Sequence, residues 1–300
     1  MSTLVIGRGL LGSALYAHLR SPRHTPAVPW LHPRHAGDVL ERVVIDHLRE
    51  QRATGAESWT VAWCAGAAMV GSTAAHMATE RALLGRTLRA IGAAASDWPG
   101  RFLHASSAGG VFGAGGPDWF DEHSPPCSVS AYGDGKLQQE RLVASWAGVT
   151  GHQALSVRMS NLYGAGQDMT KPQGFVSHLC RAAAHHQPLT LSVSAETQRD
   201  FVHVDDVAGW LARWCEGTDG AAAPGASVRV LASGRPVSLA HLISVVRSVT
   251  RVGVGIVMAS NPASSLQPRF LRVRSAFGPD VGVTPIEVGV RRLWDQLARS

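Results

Sequence analysis

A short apolar run that leads straight into closely spaced glycines restricts the fold more than any other stretch of the chain. Residues 2–6 suit a buried strand, Gly7-Arg-Gly-Leu-Leu-Gly12 follows at once, and residues 13–19 have helical spacing. The first glycine permits a tight turn, the second lets the backbone approach a pyrophosphate, and the third allows close helix packing. The junction therefore predicts a dinucleotide-binding turn that consists of Gly7, Arg8, Gly9, Leu10, Leu11 and Gly12.

Apolar runs and helical patterns alternate along the first two-thirds of the chain. This alternation is typical of a parallel sheet with helices on both faces, so we predict an α/β fold with a Rossmann-type, doubly wound parallel sheet. Sheets of this kind bind their ligands at the carboxyl ends of the strands. Small or polar residues follow predicted strands in this way at Ala65, Gly66, Ser106, Ser107 and Asn161.

Tyr132 and Lys136 stand four residues apart in the stretch Ser130-Ala-Tyr-Gly-Asp-Gly-Lys136. If this stretch opens a helix, positions i and i+4 lie one above the other on the same face. An ammonium group at about 6 Å from a phenol stabilises the phenolate, which prepares the phenol for general acid/base catalysis. The chain has three Tyr and only two Lys and otherwise uses Arg, so an accidental pair at this spacing is uncommon. The pair therefore predicts a proton-transfer site.

Composition argues against several other classes of protein. Hydrophobic residues make up 45% of the chain, no apolar run reaches the length of a membrane helix, and the N-terminus has no basic leader. The formal net charge of +6 comes from arginines without a basic run, which favours an anionic small molecule over nucleic acid. The four Cys and 14 His show no metal-binding spacing. We expect a cytoplasmic protein with free thiols and without a metal, a membrane segment or a nucleic-acid partner.

The choice between NAD and NADP depends on the residues after the second strand, which we expect near residues 27–31. Sites that prefer NAD place an acidic residue about 20 positions past the glycines. Here no carboxylate precedes Asp38, whereas Arg8 lies inside the glycine turn and Arg34 follows the predicted strand. Both guanidinium groups suit a 2′-phosphate, so NADP(H) is slightly favoured over NAD(H). The alternative is that Arg34 is an ordinary surface residue.

Five motifs in their observed order resemble the extended short-chain dehydrogenase/reductases, the NAD-dependent epimerase/dehydratase family that modifies nucleotide sugars. The motifs extend from residue 4 to about residue 234, and their order is more specific for the family than for one reaction. They are Gly7 to Gly12, Ser106-Ser107 with Val111-Phe-Gly113, Tyr132 to Lys136, Arg158 to Gly164, and Arg199 to Asp206.

The resemblance implies catalytic roles for residues in the first lobe. Tyr132 is expected to be the acid/base, and Lys136 is expected to hold the nicotinamide ribose and to polarise Tyr132. Ser107 is expected to hydrogen-bond the reacting oxygen, with Ser106 as its substitute and as a second substrate-binding residue.

The resemblance also implies contacts with the substrate. Asn161 is expected near the sugar diphosphate, and Arg199 is expected to contact the diphosphate itself, with Arg269 and Arg272 as weaker candidates. Alternatively, Arg199 forms a structural ion pair with one of the two carboxylates at positions 205 and 206. The chain departs from the family at Glu80, where Asn is common.

These implied roles predict an enzyme that moves a hydride between a nicotinamide and a carbon of a nucleotide-diphosphate sugar, with C4 preferred. We favour a 4-ketoreductase that exchanges NADP(H) in each cycle. The alternative is a 4-epimerase that retains NAD, and a third candidate is a non-catalytic dinucleotide sensor. A sugar 4,6-dehydratase is not expected, because Ala108-Gly-Gly110 stand where that reaction needs an acid and a base.

We expect two lobes in the chain. Residues 1–164, with residues 200–232 returning to them, are predicted to bind the dinucleotide, and residues 165–199 and 233–300 are predicted to bind the substrate. Family members often dimerise through two helices of each subunit. Here these helices correspond to residues 73–92 and 131–147, so a homodimer is expected.

Overall fold

In the computed structural model, the described residues are 2–30, 32–69, 71–113, 118–171, 173–218, 224–259, 270–275, 277 and 282–297. The chain divides into two compact units. Unit 1 consists of Met1–Ser107, Ser130–Arg158 and Ala208–Arg229, and unit 2 consists of Ala108–Val129, Met159–Val207 and Val230–Ser300. These bounds differ from those of the predicted lobes, for example at residues 108–129, which the sequence placed in the dinucleotide-binding lobe. Which lobe binds which ligand stays a prediction.

Twelve strands occur among the described residues. They are β1 (Thr3–Ile6), β2 (Pro22–His24), β3 (Trp59–Trp63), β4 (Gly100–Ser107), β5 (Gln153–Met159), β6 (Asn161–Tyr163), β7 (Leu189–Leu191), β8 (Gln198–Arg199), β9 (Phe201–His203), β10 (Gly225–Leu231), β11 (Val237–Ser238) and β12 (Ile256–Met258).

Nine helices occur in the same parts of the chain, and no helix within these ranges is both long and apolar enough to cross a membrane. They are α1 (Leu10–His18), α2 (Pro33–Ala53), α3 (Ala74–Ala94), α4 (Ala108–Val111), α5 (Ala131–Thr150), α6 (Phe175–Ala184), α7 (Val204–Glu216), α8 (Leu239–Thr250) and α9 (Ile286–Leu297).

A six-stranded sheet with the order β10-β5-β4-β3-β1-β2 is the framework of unit 1. The pairs β1–β2, β1–β3 and β3–β4 are parallel. The chain moves outward from β1 to β2 and then returns to the other side of β1 as β3. This reversal is the topological switch point at which doubly wound sheets open a crevice for a ligand. The predicted Rossmann-type fold class is therefore confirmed.

Helices cover both faces of this sheet because neighbouring residues of a strand point in opposite directions. Trp59, Val61 and Trp63 of β3 are buried in the core that α2, α3 and α5 share. The residue between the first two, Thr60, points the other way, and its hydroxyl donates to the carbonyl oxygen of Cys215 in α7 at 3.1 Å. The alternation of apolar runs in the sequence thus corresponds to two helical layers.

The predicted position of the second strand is wrong. The strand β2 comprises Pro22–His24, and α2 begins at Pro33, so Arg34 lies in the first turn of a helix rather than after a strand. Proline at the first position of a helix needs no hydrogen-bond partner and fits its fixed backbone angle there, which explains the helix start. The apolar residues at 27–31 are interrupted by Pro29, which cannot donate to a strand ladder.

Unit 2 contains two-stranded pairs, β6 with β9, β7 with β12 and β8 with β11, of which the first two are parallel and the third is antiparallel. Its core is formed by apolar side chains of α6, α8 and α9 together with Tyr163 of β6. A Cβ atom at Gly289 of α9 would lie 2.0 Å from the hydroxyl oxygen of Tyr163, so only glycine fits there.

Candidate active site

The predicted helix start at Tyr132 is confirmed. Ser130 is the N-cap of α5, and its hydroxyl oxygen accepts a hydrogen bond from the backbone N–H of Gly133 at 3.1 Å. Tyr132 and Lys136 therefore lie one helical turn apart on the same face. Gly135 between them lets α3 pack closely, since a Cβ atom there would lie 2.5 Å from the Cε atom of Met77.

The structure brings the ammonium group of Lys136 to 5.9 Å from the ring centroid of Tyr132. Lys136 is 6% exposed, and its Nζ atom donates to the carbonyl oxygen of Ala105 and to Oε1 of Gln139, each at 3.2 Å. A positive charge that is largely removed from water interacts more strongly with a nearby phenolate than an exposed charge would. The geometry suits the predicted proton transfer.

A buried ion pair holds the next turn of α5 to the sheet. Glu140 accepts hydrogen bonds from Nε of Arg158 at 3.0 Å and from its Nη2 at 2.7 Å. The same carboxylate accepts a hydrogen bond from the hydroxyl of Ser106 at 2.5 Å. The hydroxyl hydrogen of Ser106 is therefore committed to Glu140.

Two successive turns of α5 are thus tied to the last residues of β4. Lys136 donates to the carbonyl oxygen of Ala105, and Glu140 accepts from the hydroxyl of Ser106. Ser107 is the next residue and the last of β4. These ties place Ser107 and Tyr132 at the same, carboxyl end of the strand, where doubly wound sheets bind their ligands.

The glycine turn after β1 has the shape that a pyrophosphate requires. Gly7 has a φ of +106°, and a Cβ atom at Gly12 would lie 2.1 Å from the carbonyl oxygen of Gly7. A Cβ atom at Gly9 would meet nothing within 4 Å, so the backbone there faces open space. Gly9 caps α1 without any side-chain acceptor, and Leu10 and Leu11 form its first turn. Backbone amides that face open space at a helix N-terminus fit the diphosphate of a dinucleotide.

The loop after β3 is fixed by a residue to which the sequence assigned no role. Oε1 of Glu80 in α3 accepts hydrogen bonds from the backbone N–H groups of Ala67 and Ala68, at 2.6 and 2.7 Å. These residues directly follow Ala65 and Gly66, and a Cβ atom at Gly7 would lie 2.8 Å from the Cα atom of Ala65. Glu80 therefore holds the two small residues beside the glycine turn. The sequence signal that could have indicated this role is a carboxylate at an otherwise apolar position of a predicted helix.

Arg8 and Arg34 lie in different settings. Arg8 is exposed in the glycine turn, and burial together with the charge of Arg8 lowers the pKa of His24 at the end of β2. Its guanidinium group therefore acts on the strand end where NAD-preferring sites carry an acid. Arg34 is exposed at the start of α2, and its carbonyl oxygen accepts a hydrogen bond from Arg86 at 3.4 Å. Because β2 ends at His24, Arg34 does not follow the second strand as expected.

Arg199 in unit 2 is a partly desolvated cation. Burial lowers the pKa of its guanidinium group to about 10, and its Nη1 atom donates to the carbonyl oxygen of Gln198 at 2.9 Å. The two acids of the predicted alternative each have another contact. The carboxylate of Asp206 accepts hydrogen bonds from the N–H and the hydroxyl of Thr284, and that of Asp205 lies 3.6 Å from Nδ1 of His203.

Two further residues that were predicted to contact the substrate, Asn161 and Arg272, hydrogen-bond the residues on either side of Arg199. Asn161 begins β6, and its Nδ2 atom donates to the carbonyl oxygen of Asp200 at 2.8 Å. Nε of Arg272 donates to Oε1 of Gln198 at 3.0 Å, next to Arg199 in β8. Arg269 lies outside the described residues.

Comparison with known proteins supports one family. The model of the NAD dependent epimerase/dehydratase family matches residues 3–225, which include the glycine turn, Tyr132 and Lys136, and Arg199. The matched region covers most of the chain and includes the residues named for the five motifs, from Gly7 to Asp206.

Two curated relatives carry out different reactions. The chain is 34% identical over 88 residues to dTDP-L-rhamnose 4-epimerase of Burkholderia thailandensis, covering 29% of this chain and 24% of that one. It is 26% identical over 107 residues to dTDP-4-dehydro-6-deoxyglucose reductase of Escherichia coli, covering 36% of this chain and 34% of that one. The matched stretches thus span only a quarter to a third of these relatives.

A solved structure resembles the whole chain. MoeE5 in complex with UDP-glucuronic acid and NAD superposes with a TM-score of 0.78 at 22% identity, covering 100% of this chain and 99% of that one. At this identity the likeness establishes the fold.

Proposed function

The chain belongs to the NAD-dependent epimerase/dehydratase family, and from this premise we propose that it transfers a hydride at C4 of a nucleotide-activated sugar, favoured as 4-keto reduction. The family and its curated relatives are enzymes that act on sugar nucleotides. The observation that carries the proposal is the Tyr132–Lys136 pair, 5.9 Å apart and tied to the end of β4 beside Ser107. A non-catalytic sensor of dinucleotides would have no use for this arrangement.

Each residue of the pair has a distinct task in the proposed reaction. A bound nicotinamide dinucleotide supplies or accepts the hydride at the sugar carbon. Tyr132 gives a proton to the sugar oxygen when a ketone is reduced and takes it back in the reverse direction. Lys136 neutralises the phenolate that this leaves, and the hydroxyl of Ser107 hydrogen-bonds the same sugar oxygen.

We propose NADP(H) as the cofactor, with NAD(H) as the alternative. The end of β2 reads Pro22-Arg-His24 and continues with Thr25, so it offers no carboxylate to a ribose. The charge of Arg8 acts on this strand end, as its effect on the pKa of His24 indicates. An Arg8→Ala variant is expected to weaken NADPH binding more than NADH binding, as measured by fluorescence titration.

A 4-epimerase is the second candidate function. It is favoured by the 34% identity to dTDP-L-rhamnose 4-epimerase. The same Tyr132 would then take a proton from the sugar hydroxyl and return it after the ketone has turned its other face. Either reaction needs a nucleotide diphosphate near a cation, for which we propose Arg199, with Asn161 near the sugar.

The cellular setting also belongs to the proposal. All four cysteines are free thiols, in keeping with the expected cytoplasmic location. Association into a homodimer through α3 and α5 is likewise proposed. Size-exclusion chromatography with light scattering would measure the oligomeric state directly.

The decisive experiment compares wild type with Tyr132→Phe. Turnover of dTDP-4-dehydro-6-deoxyglucose with NADPH or NADH would be followed by nicotinamide absorbance, and conversion of dTDP-L-rhamnose and UDP-glucose by chromatography. We expect Tyr132→Phe to lower the rate by about 10²- to 10⁴-fold. Tyr163→Phe, the same change in the core of unit 2, is the matched control and should keep full activity. Equal turnover in wild type and Tyr132→Phe would remove Tyr132 from catalysis.

The cofactor released from purified protein separates the two reactions. Mass spectrometry of the small molecules freed by denaturation is expected to show no retained NAD if the protein is a reductase. Retained NAD, together with epimerisation in the absence of added cofactor, would replace reduction by epimerisation.

A further inference from the structure

A buried chain of hydrogen bonds leads away from the ammonium group of Lys136 into unit 1. Oε1 of Gln139 accepts from Nζ of Lys136 and contacts Nε2 of His104, each at 3.2 Å. Nδ1 of His104 contacts the hydroxyl oxygen of Ser156 at 3.1 Å. The side chains of Gln139, His104 and Ser156 are 1%, 0% and 3% exposed. None of these three residues has a role in the proposed reaction.

The donors and acceptors of this chain can be assigned in only one way. An ammonium group is purely a donor, so the oxygen of the Gln139 amide must face Lys136. His104 shares that oxygen, so its Nε2 atom must carry a hydrogen. Burial and the charge of Lys136 lower the pKa of His104 to about 3, so the ring is neutral and its Nδ1 atom accepts from Ser156.

The amide nitrogen of Gln139 shows that this orientation is imposed. Its Nε2 atom is buried and has no hydrogen-bond partner among the described residues. A glutamine with a purely structural role would be expected to satisfy both ends of its amide. Turning the amide over would direct N–H groups at the ammonium group of Lys136 and would lose that hydrogen bond. The side chain is therefore fixed by the demands of Lys136.

We propose that Gln139 is a positioning residue for Lys136, held in its orientation by neutral His104 and Ser156. The inference rests on the proposed role of Lys136 in the reaction. Gln139 and Ala105 take two of the three N–H donors of the ammonium group and leave the third for a ligand. They also hold Nζ at its 5.9 Å distance from the Tyr132 ring. Without Gln139, the flexible four-carbon stem of lysine is free to take up other rotamers.

The chain offers an internal standard for a test, because its only lysines are Lys136 and Lys171. Brief labelling of intact protein with an acetylating reagent, followed by mass spectrometry of peptides, gives the rate at Lys136 relative to Lys171. This ratio does not depend on knowing the substrate. We expect Gln139→Leu to raise the ratio about tenfold, which corresponds to the loss of one hydrogen bond to a charged group. His104→Leu is expected to raise it less, because the glutamine oxygen remains.

Gln138→Leu is the matched control, since it makes the same change at the neighbouring, exposed position. The side chain of Gln138 accepts a hydrogen bond from Arg81 at 2.5 Å and is separate from the chain to His104. This control should leave the ratio unchanged. Gln139→Glu keeps an acceptor for Lys136 and should keep the ratio at or below its wild-type value. Circular dichroism and thermal unfolding of each variant would identify any variant that fails to fold.

Activity provides a second and separate measurement. We expect Gln139→Leu to lower kcat more than it raises KM, and Gln139→Glu to move the acid limb of the pH profile of kcat, since a new charge lies beside Lys136. An unchanged labelling ratio in folded Gln139→Leu would overturn the positioning role, whatever the enzyme turns over. A raised ratio in a protein without turnover would instead leave the positioning of Lys136 intact and count against the proposed reaction.

Discussion

The ion pair between Glu140 and Arg158 allows a sharp test of what holds α5 against the sheet. Both side chains are 7% exposed, and the pair also receives the hydroxyl of Ser106. Removing one member, as in Glu140→Leu or Arg158→Met, leaves a buried charge without its partner. Such single changes are expected to lower the free energy of unfolding by about 3–5 kcal/mol.

The double variant Glu140→Leu/Arg158→Met is expected to be far more stable than the sum of the single changes implies. Apolar side chains of similar volume remove the desolvation of both charges and leave the hydroxyl of Ser106 without its acceptor. That orphaned group costs about 1–3 kcal/mol. The predicted loss is therefore smaller in the double variant than in either single one, and Ser106→Ala added to it should recover part of the remainder.

Urea unfolding followed by tryptophan fluorescence measures these differences, since the chain contains nine Trp. Asp97→Ala is the control, because the ion pair of Asp97 with Arg52 is exposed on the surface and should leave the unfolding midpoint unchanged. A double variant that loses as much as both single variants together would refute the reasoning. Single variants with wild-type stability would refute it equally.

Three further changes have expected outcomes. Gly135→Ala would place a Cβ atom 2.5 Å from Cε and 2.6 Å from Cβ of Met77, so we expect the free energy of unfolding to fall by about 1–3 kcal/mol, as measured by thermal unfolding. Tyr163→Phe removes a buried hydroxyl without a partner among the described residues, so the unfolding midpoint should stay the same or rise, and a lower midpoint would show a missed hydrogen bond. Burial lowers the pKa of His47 from 6.5 to about 4, so the unfolded chain binds its proton more readily than the folded one. As the pH is lowered from 6.5 to 4, the free energy of unfolding should then decrease by at most about 1.4 kcal/mol per pH unit. An equally steep decrease in a His47→Leu variant would contradict this.

The fold could be predicted where local sequence and tertiary packing agree. The apolar residues of β1 and β3 are buried on both faces of the sheet, so they form short continuous runs that signal a buried parallel strand. The strand β2 could not be found in this way. It has only three residues, Pro22-Arg-His24, and pairs with β1 despite a polar sequence, whereas the more apolar residues at 27–30 do not form a strand. Pairing with a buried neighbour overrides local propensity there.

In the candidate site, too, local features could be predicted from the sequence and long-range contacts could not. The spacing of Tyr132 and Lys136 and the cap at Ser130 are local, so they could be read from the sequence. Glu140 meets Ser106 across 34 positions and Arg158 across 18, and such pairings depend on how α5 packs against β4 and β5. The predicted part of Ser106 in substrate binding stays a prediction, and its hydrogen bond to the ion pair could not be found from the sequence.

The sheet-facing side of α5 changes character along its length, and this change separates positioning from stability. Towards the C-terminus the buried residues are Val143 and Ala147, which pack in the core of unit 1. Towards the N-terminus they are Lys136, Gln139 and Glu140, each of which hydrogen-bonds a named atom. Apolar packing tolerates a small shift of the helix, but directed hydrogen bonds do not. The polar half therefore fixes the register of α5 on β4, so the distance between Tyr132 and the strand end is set by the residues that follow Tyr132 in the helix.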